Sequence, residues 1–191
     1  MTQAFSTSTD VARLLSALAF SASKHRLQRR KDRDGSPYIN HPIEVARLLA
    51  EVGEVSELNT LIAAVLHDTL EDTATTPQEL ENQFGPVVRR LVEEVTDDKS
   101  LEESVRKSLQ VSKVGSLSNE AKLIRIADKI ANVRDVTHSP PANWSEARRR
   151  EYFDWTERVV AGCRGVHERL ERLFDEVVGQ GREIVPQDRR S

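Results

Sequence analysis

The chain has 191 residues and a single cysteine, Cys163, so no internal disulfide can staple it. Its fold must hold by packing, and a reducing compartment is the expected setting. Cys163 has no neighbour that suggests a nucleophile and reads as a helix-packing residue. There is no excess of positive charge either. The 28 Lys+Arg stand against 31 Asp+Glu, net −3, whereas a general nucleic-acid binder is usually strongly basic. Long apolar runs are also missing, and the longest, Leu61 to Leu66, is far too short to span a bilayer. The N-terminal MTQAFSTSTD has no basic region followed by an apolar stretch, so no signal peptide is expected. The expectation is a soluble, cytoplasmic protein with no nucleic-acid or membrane partner. Internal repeats, low-complexity segments and convincing strand-like alternation are absent from the pattern.

The chain is organised around LIAAVLHDTLEDT, Leu61 to Thr73. Its first six residues are apolar all round, which marks a buried helix. The same segment places His67, Asp68, Glu71 and Asp72 within two turns. His67 and Glu71 are four apart, as are Asp68 and Asp72, so each pair is expected to stack along one side of a helix. Four titratable groups at the end of a buried helix are costly unless something pairs them. A divalent metal would do so, leaving spare carboxylates to handle a water. The plainer reading is a helix C-terminus with an acidic cap for the next helix.

Around this segment the pattern predicts a nearly all-α bundle of eight to ten short to medium helices. Val11, Leu14, Leu15 and Leu18 mark a first stripe, running into the basic Lys24–Lys31. Those cations suit a helix C-terminus, or a phosphate grip. Asp32 to Pro37 is turn chemistry, delivering Tyr38 and His41 to a helix that Pro42 opens. Thr76–Pro77 and Pro86 start two further short helices, and Val105 to Leu109 suggests a charged, partly exposed one. Gly115 to Asn119 reads as a loop. Ala121 to Val136 is a core helix with Asp128 at the border of its apolar stripe and Asn132 one turn on. Helices over Trp144–Gly162 and Val166–Val178 complete a single domain, residues 1–178, with 179–191 as a frayed tail. His138 and His167 have no acidic or His neighbours at ligand spacing and read as ordinary surface or interhelical residues.

His41, His67, Asp68 and Asp128 each sit on or beside an apolar helix that must enter one core. Two imidazoles and two carboxylates without a thiolate suit a harder divalent metal with open water positions. The order H…HD…D is the pattern of the HD phosphohydrolase superfamily, which the chain resembles. The segments KHRLQRRKDRDGSPYINHP, AAVLHDTLEDT, FGPVVRRLVEEVTDD, AKLIRIADKIANVRD and EYFDW narrow the resemblance. They resemble the stand-alone alarmone hydrolases, single-domain relatives of the hydrolase half of the RelA/SpoT enzymes, the metazoan SpoT homolog among them. That resemblance covers Lys24–Trp155 and implies hydrolysis of guanosine 3′,5′-bis(diphosphate) and its pentaphosphate analogue with Mn²⁺. It implies His41, His67, Asp68 and Asp128 as metal ligands, with Glu71 and Asp72 handling the water. For substrate it implies Arg30, Lys31, Tyr38, Lys129, Asn132, Tyr152 and Trp155. Ala131 stands where the long bifunctional enzymes carry a bulky aromatic, which implies a thinner nucleoside wall. One alternative keeps the site but acts on another nucleotide, such as the 2′-phosphate of NADPH. A non-catalytic sensor would lack a ligand or an acidic residue, and none is missing here.

Overall fold

The computed structural model describes residues 8–185. The described chain is all-α: ten α-helices and one 3-10 turn, with an isolated β-bridge between Arg29 and Pro37. The helices are α1 (Ser8–Lys24), α2 (Asn40–Glu51), α3 (Leu58–Leu66), α4 (Thr69–Asp72) and α5 (Pro77–Phe84). They continue as α6 (Pro86–Glu94), α7 (Glu103–Lys113), α8 (Asn119–His138), α9 (Glu146–Ala161) and α10 (Glu168–Ile184). No helix among the described residues is long and apolar enough to cross a membrane.

Polar caps at the helix starts satisfy otherwise orphaned amides. Glu57 accepts from Asn59 and Thr60 at α3, Thr76 from Glu79 at α5, Ser118 from Ala121 at α8 and Ser145 from Arg148 at α9. His167 caps α10 through Nδ1, and its Nε2 meets the Gly53 carbonyl at 2.9 Å, so this imidazole joins α10 to the end of α2. The centre of the molecule is α3. Thr60 to Leu66 are buried without a break, and α1, α2, α6 and α8 all pack on that helix. Helix α7, as its charge pattern suggested, has no buried residue.

Four local expectations are corrected. The His67–Asp68 segment does not continue α3. The chain turns there, Thr69 Oγ1 taking the Leu66 carbonyl at 2.6 Å, and α4 is a separate single turn. The basic run does not extend α1, which ends at Lys24. Arg30 N–H instead bonds to the Ser36 carbonyl and Tyr38 N–H to the Gln28 carbonyl, making a small antiparallel tongue. The Val114–Ser116 segment forms a 3-10 turn that overlaps the start of the predicted 115–119 loop, and Asn119 already opens α8. Finally, α10 runs to Ile184, so residues 179–184 are helical and Val185 is buried; residues beyond 185 lie outside the described part.

Gly179 and Gly181 read as breakers in sequence, but Gly181 is where α10 approaches the bundle most closely. A Cβ built there would stand 2.8 Å from Thr137 Oγ1 and 2.9 Å from the Phe153 ring. Nothing lies within 4 Å of one built at Gly179. Gly181→Ala should therefore destabilise by about 1–3 kcal/mol through overpacking. Gly179→Ala should be neutral or stabilise by up to about 1 kcal/mol through helix propensity. Thermal denaturation of the two variants checks this, and equal effects would place residues 179–181 outside a packed helix.

Candidate active site

Three elements deliver four ionisable side chains to one point. His41 comes from the first turn of α2, His67 and Asp68 from the α3–α4 turn, and Asp128 from the middle of α8. Ligand atoms of His41, His67 and Asp128 lie within 4.8 Å of one another, and all three residues are buried. Asp128 Oδ1 is 3.1 Å from His41 Nε2 and 3.9 Å from His67 Nε2. Asp68 mirrors it, its Oδ2 3.1 Å from His67 Nε2 and 3.9 Å from His41 Nε2. His67 Nδ1 donates to the Ala64 carbonyl at 2.8 Å, which fixes the ring and turns Nε2 toward the carboxylates. That Nε2 is buried and makes no aligned hydrogen bond.

The electrostatics follow from this crowding. Burial would raise Asp68 and Asp128, but the imidazoles beside them, and Lys129 beside Asp128, hold both below the usual carboxylate range. Burial alone would lower His67, yet Asp68 and Asp128 push it up to about 9. The cluster thus favours positive charge at its centre. An imidazole nitrogen with no hydrogen-bond partner, facing two carboxylates and a second imidazole, is a donor set that fits a divalent cation.

Two bridges join the cluster to a neighbouring cleft of about 400 Å³. Asn132 Nδ2 donates to Asp128 Oδ1 at 2.5 Å, and its Oδ1 accepts from Arg30 Nη2 at 3.2 Å. Tyr38 donates to Asp68 Oδ2 at 2.7 Å, while the Arg30 guanidinium lies 5.6 Å from the Tyr38 ring centre. Arg30 is also paired with Asp135 at 2.5 Å. Arg29, Arg30, Lys31 and Lys99 line the cleft against the carboxylates of Asp32, Asp72 and Asp135, and Tyr38, Trp144 and Tyr152 give it aromatic walls. Burial, together with nearby carboxylates, raises the hydroxyls of Tyr38 and Tyr152, so both remain protonated donors.

Glu71 and Asp72 diverge. Asp72 lines the cleft, paired with Lys99, and its carbonyl accepts from Gln28 Nε2 at 2.6 Å. Glu71 turns the other way. Its Oε2 accepts from the Asp97 amide at 3.3 Å, and its Oε1 is 3.6 Å from Arg106 Nη1. Burial, then the carboxylates of Asp97 and Asp68, push Glu71 up to about 7.

Residues 17–154 match the family described as HD domain. The chain belongs to the HD-domain family. Among its relatives is the human guanosine-3′,5′-bis(diphosphate) 3′-pyrophosphohydrolase MESH1, 50% identical over 172 residues that cover 90% of this chain and 96% of the relative. The Drosophila melanogaster protein of the same name is 44% identical, covering 88% and 94%. A GTP pyrophosphokinase rsh of Brucella melitensis is 36% identical over 70% of this chain but only 18% of its own length. A solved structure described as a metazoan ortholog of SpoT that hydrolyzes ppGpp superposes with a TM-score of 0.86 at 44% identity, covering 88% of this chain and 95% of that one.

The HD-domain site gathers most, not all, of the residues expected from sequence. Lys129 and Trp155 do not line the cleft. Lys129 is buried behind Asp128, its Nζ 3.0 Å from Asp128 Oδ2 and 4.5 Å from the Trp155 ring centre. Trp155 is buried too, donating to the Lys107 carbonyl at 3.1 Å. Ala131 is buried beside this site and does not itself line the cleft. Sequence reasoning missed Trp144, Lys99 and His25. Trp144 read as the start of a helix but lies in the turn before α9, with Tyr152 5.4 Å away ring to ring. His25 stacks on Tyr38 at 4.8 Å and pairs with Gln28, bracing the tongue from beneath. Their signal was chemical type alone: an aromatic beside a double proline, a lone cation after two aspartates, a histidine within a basic run.

If His67 is a metal donor in this HD-domain site, wild-type protein should carry a divalent metal through gel filtration and His67→Ala should not. Elemental analysis of the two proteins decides it, and a His67→Ala protein that keeps its metal would remove His67 from the donor set.

Proposed function

We propose that the chain is a Mn²⁺-dependent hydrolase of guanosine 3′,5′-bis(diphosphate), releasing GDP and pyrophosphate, and of the pentaphosphate analogue, releasing GTP. The observation that carries the reading is adjacency. A buried His and Asp cluster is joined, through Tyr38 and Asn132, to a cleft with four cations and three aromatic rings. Cations suit phosphate chains and aromatic faces suit a purine. The relatives of about half identity that carry the pyrophosphohydrolase name support the same substrate. An N/O donor set with no thiolate favours Mn²⁺ over softer ions. Activity is assigned to a single HD-type unit, with no nucleic-acid partner.

In this reading, water attacks the phosphorus bonded to the ribose 3′ oxygen. The bond between that phosphorus and the ribose oxygen breaks, the ribose oxygen takes up a proton, and pyrophosphate keeps the oxygen of the water. His41, His67, Asp68 and Asp128 would hold a divalent ion, which when bound would supply Lewis acidity to the phosphate and lower the pKa of the water. Glu71, poised near 7, accepts the proton. Asp72, on the cleft side, orients the water. Arg30 and Lys31 hold phosphate, with the Arg30 plane against Tyr38 ready to face a base. Tyr38 and Tyr152 donate hydrogen bonds, and Asn132 holds Asp128 and Arg30 in register. Lys129 and Trp155 act from behind, on Asp128.

A product assay on metal-free protein, with and without added Mn²⁺, tests the reading. Guanosine tetraphosphate and NADPH are run side by side. Mn²⁺-dependent GDP and pyrophosphate from the first are expected. Orthophosphate from NADPH alone would keep the site and move the activity to cofactor dephosphorylation.

Because Glu71 must lose its proton to act as base, the rate should climb as pH rises through about 7 and then level off. Glu71→Gln should abolish that rise and lower kcat by about 100-fold or more. A kcat–pH series on both proteins reads this. A wild-type profile flat from pH 6 to 8 would assign the proton to another group.

A further inference from the structure

The roles above leave Arg29 and Lys99 unused, and of these two cleft cations Lys99 is the one paired with a carboxylate of the cleft. It projects from the segment between α6 and α7, across the cleft from the Arg29–Lys31 tongue. The segment beneath it is tied down. The Asp97 amide meets Glu71, the Asp97 carboxylate receives Gln110 and Arg125 Nη2, and Ser100 N–H and Oγ both bond Asp98 Oδ1. The backbone position is therefore fixed while the Lys99 side chain, 49% exposed, remains free to swing on its four-carbon stem.

The recorded partner of this ammonium is Asp72 Oδ1, the carboxylate that faces the cleft. The ammonium end of the pair is open to water, Lys99 being 49% exposed against 19% for Asp72, and a pair screened at one end adds little to stability. An entering phosphate chain brings several negative charges to the same wall and competes for the ammonium directly. Arg30 differs. Its side chain is mostly buried, with partners in Asp135 and Asn132 that keep it in place. Lys99 is thus a cation whose pairing is cheap to exchange, placed on the one acidic group that should stay unmasked once substrate is bound.

We propose that Lys99 is an exchangeable counter-ion. It holds Asp72 before the nucleotide enters, then passes to the phosphate chain and leaves Asp72 free to orient the water. The cleft thereby reads phosphate charge twice, as affinity through Lys99 and as readiness through Asp72. This rests on the hydrolase reading above.

Steady-state kinetics of the Mn²⁺-loaded protein with guanosine tetraphosphate test it, comparing wild type, Lys99→Met and Lys99→Arg. Lys99→Met should raise KM by about tenfold or more, the scale of one charge-assisted hydrogen bond, with a smaller change in kcat. Lys99→Arg should recover most of that loss, and the wild-type KM should rise more steeply with salt than that of Lys99→Met. A fall in kcat with KM unchanged would make Lys99 a fixed clamp on Asp72 and overturn the exchange. If wild-type protein turns over no guanosine tetraphosphate, the hydrolase reading fails. Calorimetric titration with pyrophosphate in excess Mn²⁺ then judges Lys99 alone. Binding about tenfold weaker in Lys99→Met upholds the counter-ion role, and equal binding ends it.

Discussion

Everything in this structure answers to one electrostatic constraint, two imidazoles and two carboxylates brought together in a helical core. Buried ionisable groups are tolerated when they pair, and here each carboxylate oxygen that faces the cluster meets both imidazoles. The surrounding helices are built to hold that geometry. Helix α3 is apolar on every side because it must sit in the middle and end at His67. Its own Ala64 carbonyl then orients the imidazole, so the ring is aimed by backbone rather than by a movable side chain. Helix α8 sets Asp128 among buried Ile126, Ala127 and Ile130, and Lys129 is buried with it as counter-charge. A buried lysine would itself be costly, and the Trp155 face beside it offsets part of that cost.

The cluster and the cleft are mechanically one unit. Tyr38 and Asn132 each bond a carboxylate of the cluster and contact Arg30, one through its ring and the other through its amide oxygen. The tongue closed by the Arg29–Pro37 bridge carries Arg30 at one end and delivers Tyr38 and His41 just past the other. A shift of the basic segment would therefore be felt at the His and Asp cluster, and the reverse. Gln28 adds a third tie, from the same tongue to the carbonyl of Asp72.

How far this could be read from sequence differs by kind of interaction. Helices opened by Thr76–Pro77 and Pro86 were legible because capping and proline act locally. The convergence of His41, His67, Asp68 and Asp128 was legible because each is a charged or ligating group beside an apolar helix stripe, a combination that demands partners. The break between α3 and α4 was legible only as one of two readings, a continuous helix or a helix C-terminus with an acidic cap for the next, since the turn depends on Thr69 and on what packs around it. The exit of the basic run from α1, which a β-bridge several residues downstream imposes, was not legible. Trp155 and Lys129 look like ligand contacts in a one-dimensional list, and only the packing of α8 on α9 turns them toward each other behind Asp128. Gly181 shows the same override, because helix propensity there loses to a close approach against Phe153.

The divergence of Glu71 and Asp72 is the feature in which local geometry becomes chemistry. Adjacent residues on a helix point about 100° apart. Glu71 and Asp72, consecutive on the single turn α4, therefore leave it toward different walls. One is buried against the Asp97 amide and pushed up to about 7, while the other faces the cations of the cleft. Neighbouring carboxylates held in different environments differ in what they can do, Glu71 able to exchange a proton near neutrality and Asp72 paired with Lys99 at the cleft. The different partners on the two sides of α4 are thus what lets two adjacent acids in the sequence stop being interchangeable.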